Sequence, residues 1–114
     1  MTVARRLTSF KVRGIPIVLR LRSKPGRGWS RDQSGLCTRT SRGFTVDILL
    51  TRPEREVLEV LIHELLHAAY WDLDEHAVAE TADDIAGILW RLGWRCNGGE
   101  RPDRASRRGD GAVG

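Results

Sequence analysis

The sequence predicts an α+β domain: a small three-stranded antiparallel sheet followed by two packed helices. Three observations carry this. The first half holds short runs that alternate apolar and polar residues, broken by Gly, Pro and Ser. The second half holds two long amphipathic runs joined only by Trp71-Asp72-Leu73, a link that suits a helical turn-back. From Cys96 onward the chain is rich in Gly, Arg and Asp, has almost no apolar residue, and reads as a disordered tail. The 114 residues therefore divide into one domain over 1–95 and a tail over 96–114. A core of that size is small, and a metal crosslink would help to hold it.

The elements follow in order. Phe10 to Arg13 alternates apolar and basic residues. Ile15 to Arg22 is strand-like, with Ile17, Leu19 and Leu21 on one face. Gly14 between them predicts a tight hairpin, although Pro16 weakens ladder pairing there. Ser23 to Gly35 is full of Gly, Pro, Ser and charge and reads as a loop. Trp29 within it either folds back on the core or contacts substrate. Phe44 to Leu50 is the third strand. Thr51 can cap a helix, Pro53 suits its first turn, and Glu54 stands three residues after the cap as in a capping box. That helix should run from Arg52 to Tyr70. Asp72 or Asp74 can cap a second, from Asp74 to Leu92, which Gly93 ends.

The first helix carries His63-Glu64-Leu65-Leu66-His67, the pattern H-E-x-x-H. Residues four apart lie one turn apart on the same helix face. Both imidazoles can therefore reach one metal ion, with Glu64 beside them to take a proton from a water. A buried helix that merely carries two histidines must explain why three polar groups interrupt an apolar run, since such groups are costly without partners.

A catalytic zinc takes three protein ligands and keeps a position open. The third should come from the second helix, where Glu75, His76 and Glu80 are candidates. At 100° per residue, Val78, Ala82, Ile85, Leu89 and Leu92 define the apolar face. Glu75 falls beside that stripe, whereas His76, Glu80, Asp83 and Arg91 fall opposite. Glu75 is the first choice. His76 follows, because the first turn of a helix can deviate from ideal phase, and Glu80 comes after it. Asp72 and Asp84 are candidates to accept the free N–H of a ligating histidine, or are plain surface. Tyr70 borders the same face, three residues after His67. Its hydroxyl is placed to steady a developing oxyanion or to close the core at the helix end. Zinc is favoured by the motif, although two His and one carboxylate also suit iron(II) or manganese.

Charge is strongly segregated. Residues 1–55 carry 13 Lys/Arg against three Asp/Glu, and residues 56–94 carry one Arg against nine acids. The basic half either keeps the sheet soluble or meets nucleic acid or an acidic protein. No aromatic recognition motif sits among its arginines, so the nucleic-acid signal is weak; Arg20, Arg22 and Lys24 would carry it. No stretch reads as a secretory signal or a membrane span. Cys37 and Cys96 lack C-x-x-C spacing and fit reduced thiols in the cytoplasm.

With its HELLHA, WDLDE and ILWRLGWR segments, the stretch Leu61 to Arg95 resembles the zincin metallopeptidases. It is most similar to the very small phage and bacterial members near the SprT-like and minimal gluzincin proteins. The resemblance covers the two helices well and the strands loosely. It implies zinc on His63 and His67, Glu64 as general base, and a glutamate of the next helix, Glu75 or Glu80, as third ligand. The pattern departs from metzincins, with Tyr70 where their Gly stands and Leu73 where their third His stands. The spacing from His67 to the second helix is shorter than in most gluzincins, and the zinc-ribbon cysteines common in SprT-like proteins are absent. The implied activity is zinc-dependent peptide hydrolysis, with an exposed edge, Phe44 to Leu50, aligning an extended substrate. The alternative is a non-catalytic, metal-stabilised module that binds a protein or nucleic acid through its basic half.

Overall fold

The computed structural model describes residues 4–95. The tail expected over 96–114, Cys96 included, lies outside the described residues, as do Met1 to Val3. Within them the order is β1 (Ala4–Val12), β2 (Ile15–Arg22), β3 (Gly35–Arg39), β4 (Phe44–Leu49), α1 (Glu54–Ala69) and α2 (Glu75–Arg91). The α+β class holds, but the sheet has four strands and is mixed, in the order β1-β2-β4-β3.

The hairpin falls where Gly14 put it. Arg13 and Gly14 both have positive φ, 55° and 76°, as a two-residue type I′ turn requires, and Val12 pairs with Ile15 across it. Pro16 precedes Ile17, the first β2 residue paired with β4. β2 and β4 run parallel because the loop 23–34 carries the chain past the end of β4 to its far side. There β3 comes back antiparallel to β4. The short strand Gly35–Arg39 corrects the expectation of three strands. It is an edge strand with only Gly35 and Cys37 partly covered, so it lacks the apolar alternation of a half-buried one.

Register places Phe10, Ile17, Leu19, Leu21, Phe44, Val46 and Ile48 on one face, and α1 lies across it. Val57 and Ala68 of α1 complete the core, with Leu61 and Leu65 packed against it. Val46 and Ile48 have no exposed surface. Ile48→Ala removes buried atoms from a site fixed on both sides. It should cost about 2–5 kcal/mol, read as a lowered denaturant midpoint.

On the opposite face Asp47 is only 3% exposed. Arg20 grips it with two bonds, Nε to Oδ1 at 2.8 Å and Nη2 to Oδ2 at 3.1 Å, and Arg22 Nη1 adds a third at 3.3 Å. A carboxylate buried without such partners would be expensive. Trp29 folds back over this region: the Arg22 guanidinium lies 5.6 Å from its ring, and Gly26 leaves room for the indole.

α1 starts at Glu54 with Pro53 as its N-cap and no side-chain cap bond, so the capping box expected from Thr51 does not form. α2 is capped as expected, with Asp74 Oδ2 accepting from Ala77 N–H at 3.0 Å, and Gly93, at φ 96°, follows its end. Among the described elements α2 packs on α1 and on no strand, with Val78, Ala82 and Ala86 buried. Its buried line is therefore rotated from the expected stripe, and Ile85, Ile88 and Leu92 are exposed. No helix among the described residues is long and apolar enough to cross a membrane.

Candidate metal centre

His63 and His67 stand one turn apart on the flank of α1 that faces the start of α2. Their Nε2 atoms are 3.2 Å apart, with the rings edge to face. The Asp74 cap fixes the first turn of α2 and so brings Glu75 back toward them. Glu75 Oε2 lies 3.2 Å from His63 Nε2, and Oε1 lies 2.8 Å from His67 Nε2. Ligand atoms of His63, His67 and Glu75 all fall within 4.8 Å of one another.

The spacing is a test of fit. Two nitrogens bound to one zinc at 2.0–2.1 Å and a tetrahedral angle are about 3.3 Å apart. The nitrogen pair, at 3.2 Å, meets that requirement with little movement. The donor set is two imidazoles and a carboxylate. Both histidines are about one-fifth exposed and Glu75 about two-thirds exposed, so the group opens to solvent on one side. These residues can hold a metal ion and leave it accessible.

Glu64 follows His63 on α1 but points to the β3 side. β3 comes this close because Gly35 has no side chain. A Cβ there would sit 2.6 Å from Val60 Cγ1, 3.1 Å from the Asp47 carbonyl oxygen and 3.2 Å from Glu64 Cγ. Burial, and secondarily the charge of Glu75, push the Glu64 carboxyl up to about 7. Burial, with Glu64 adding, pushes the neighbouring Cys37 thiol up to about 12, so Cys37 stays a protonated, inert wall. Gly35→Ala should cost about 1–3 kcal/mol by overpacking. It should also displace Glu64 and lower any turnover more than it lowers metal affinity, a split that kinetics and metal titration on the one variant would reveal.

The other candidates fall elsewhere. His76 and Glu80 face each other at 3.6 Å on the exposed side of α2, both mostly in solvent. Asp84 is exposed, and Asp72 lines a separate cleft. Tyr70 ends α1, is 46% exposed and packs beneath the Arg13 guanidinium, 4.6 Å from its ring centre. Trp29 is engaged with Arg22 and Gly26 rather than with the histidines. The strand Phe44 to Leu50, expected as a free edge, is interior: β4 pairs with β2 on one side and β3 on the other. The edge beside Glu64 is β3. Arg20 and Arg22, two of the residues proposed for nucleic acid, spend their guanidinium groups on Asp47. Gly35 and Cys37 were the residues missed. A Gly opening the run that leads into Phe44 was the available signal.

Compared with known protein families, with curated proteins and with solved structures, the chain matches none.

Proposed function

We propose that this chain is a small zinc-dependent peptidase of the zincin type. The observation that carries the reading is the convergence of His63 Nε2, His67 Nε2 and the Glu75 carboxylate at 2.8–3.2 Å, with Glu64 next to them on the same helix. A zinc ion held there would acidify a water and polarise a carbonyl. Glu64 would be the group that takes a proton from such a water and returns it to the departing amine. Glu64 lies half-buried on the side of α1 that meets Gly35. The outer edge of β3, where Gln33 Nε2 holds the Gly35 carbonyl at 3.3 Å, would offer backbone N–H and C=O groups to an extended peptide beside Glu64. The scheme assigns no step to Tyr70, whose ring lies under the Arg13 guanidinium.

The same three contacts also suit a metal-free ion pair between protonated histidine and Glu75. Metal content separates the two. Protein made without a polyhistidine tag should carry about one zinc per chain, measured by mass spectrometry, and His63→Ala should carry none. A wild-type protein that holds no metal after zinc is supplied would overturn the reading.

A further inference from the structure

A second concave site lies at the C-terminal end of α1, just past His67, a cleft of about 460 Å³. Arg13, Arg39 and Arg42 line it, with Phe44, Tyr70 and Trp71. Among the described residues Asp72 is the one acid on its wall. The arginines differ in how far they are already engaged. Arg13 donates Nη1 to the Ala69 carbonyl at 2.8 Å and covers the Tyr70 ring, closing the negative end of α1. Arg39 lies over Trp71, 4.8 Å from the ring centre, and 5.9 Å from that of Phe44. Among the described residues neither Arg39 nor Arg42 has an ion-pair partner, unlike Arg20, Arg22 and Arg55 elsewhere on the surface. A guanidinium over an aromatic ring uses its face and keeps its in-plane N–H groups for a planar acceptor. The ring also holds that group in place before anything binds.

The cleft is joined to the candidate metal centre by β3. Gly35 starts that strand beside Glu64, and Arg39 ends it at the cleft. Four residues of strand span about 13 Å. A peptide added along the free edge of β3 would advance at the same rise. We propose that this cleft is a carboxylate-binding subsite, which selects peptides with an acidic group about four residues from the bond placed at Glu64. The acidic group is a Glu or Asp side chain or the chain's terminal carboxylate. The inference rests on the peptidase reading for its meaning, but the binding it predicts does not require turnover. A peptide fits better than a nucleic acid because Arg39 belongs to the edge strand itself, so backbone pairing and charge recognition continue on one element.

The test is fluorescence anisotropy with labelled ten-residue peptides of Ala and Ser. One series carries a single Glu, four residues to either side of the centre. A second carries Gln there, and a third has Gln with a free or an amidated C-terminus at that distance. A labelled ten-residue oligothymidine is the competitor class. The proteins are wild type, Glu64→Gln and the double variant Arg39→Gln/Arg42→Gln, with melting temperature as the folding control. Both substitutions are at surface sites, and the singles serve if the double variant unfolds. A carboxylate-bearing peptide should bind at least tenfold more tightly than its Gln or amidated counterpart. That preference should persist in Glu64→Gln and vanish in the arginine variant. Whether the Glu or the terminal arm shows it tells which carboxylate is read. The proposal is overturned if neither the Glu peptides nor the free-terminus peptides bind better than their Gln and amidated counterparts. So does an oligothymidine bound more tightly than any peptide through the same arginines. Loss of metal binding or hydrolysis would strike the peptidase reading and leave these affinities to be judged separately.

Discussion

Glu64→Gln should leave metal content unchanged and lower peptide hydrolysis by roughly 10²–10⁴-fold, the usual weight of a general acid–base group. Gln keeps the shape and the buried packing against Gly35 and Val60, so the fold should survive. What it loses is the ability to carry a proton. Because Glu64 is buried beside a second carboxylate, the neutral amide relieves a desolvation cost rather than creating one. The variant should therefore be at least as stable as wild type in thermal melts while being inactive against an unstructured protein such as casein. Stability lost together with activity would instead point to a structural role. Activity retained with zinc bound would sink the mechanism, whatever the metal does.

Zinc itself should stabilise the protein strongly, and His67→Ala should abolish that effect. The three candidate ligands come from two helices, with His63 and His67 on α1 and Glu75 on α2. An ion bound only in the folded state adds about 2.7 kcal/mol at a free concentration 100 times its dissociation constant. For a domain of this size that is an upward shift in melting temperature of roughly 10–20 °C. Removing His67 leaves one imidazole and an exposed carboxylate, too few donors to hold the ion at micromolar zinc. The check is a pair of melts, chelated and zinc-supplied, on each protein. Equal melting temperatures for wild type under both conditions would count against a metal centre of any kind.

The parts of the structure that local pattern controls were legible. The Gly14 hairpin, the strand Ile15–Arg22, both helices and the Asp74 cap rest on residues whose conformational demands are met within a few positions. Helical phase also placed Glu75, because a residue three before Val78 and seven before Ala82 must share their side of the helix. What failed was set by distant partners. β3 is too short and too exposed to show a period: Gly35 ends the expected loop, and Leu36 to Arg39 carry no pattern that assigns them an element. The length of the connection between Arg22 and Phe44 was the missed warning, since long structureless loops are uncommon in compact domains. The parallel pairing of β2 with β4 follows from where β3 inserts, so it was invisible once β3 was overlooked. The same oversight assigned the free edge to the wrong strand. α2 presents a broader apolar stripe than it buries: Ile85, Ile88 and Leu92 lie beside Ala82 and Ala86 but are exposed, and the buried residues are Val78, Ala82 and Ala86.

Among the described elements α2 touches α1 and none of the strands. A helix fastened on one side, by buried Val78, Ala82 and Ala86 and by the Arg55 contacts to Asp83, can detach without dismantling the sheet, at a free energy below that of complete unfolding. Its first residue, Glu75, completes the candidate centre, so each such opening would take one donor away from the other two. Amide exchange along Val78–Ala86 thus reports how often the donor set is intact. The ion, once held, would act as the second hinge pin of a door that otherwise hangs on one.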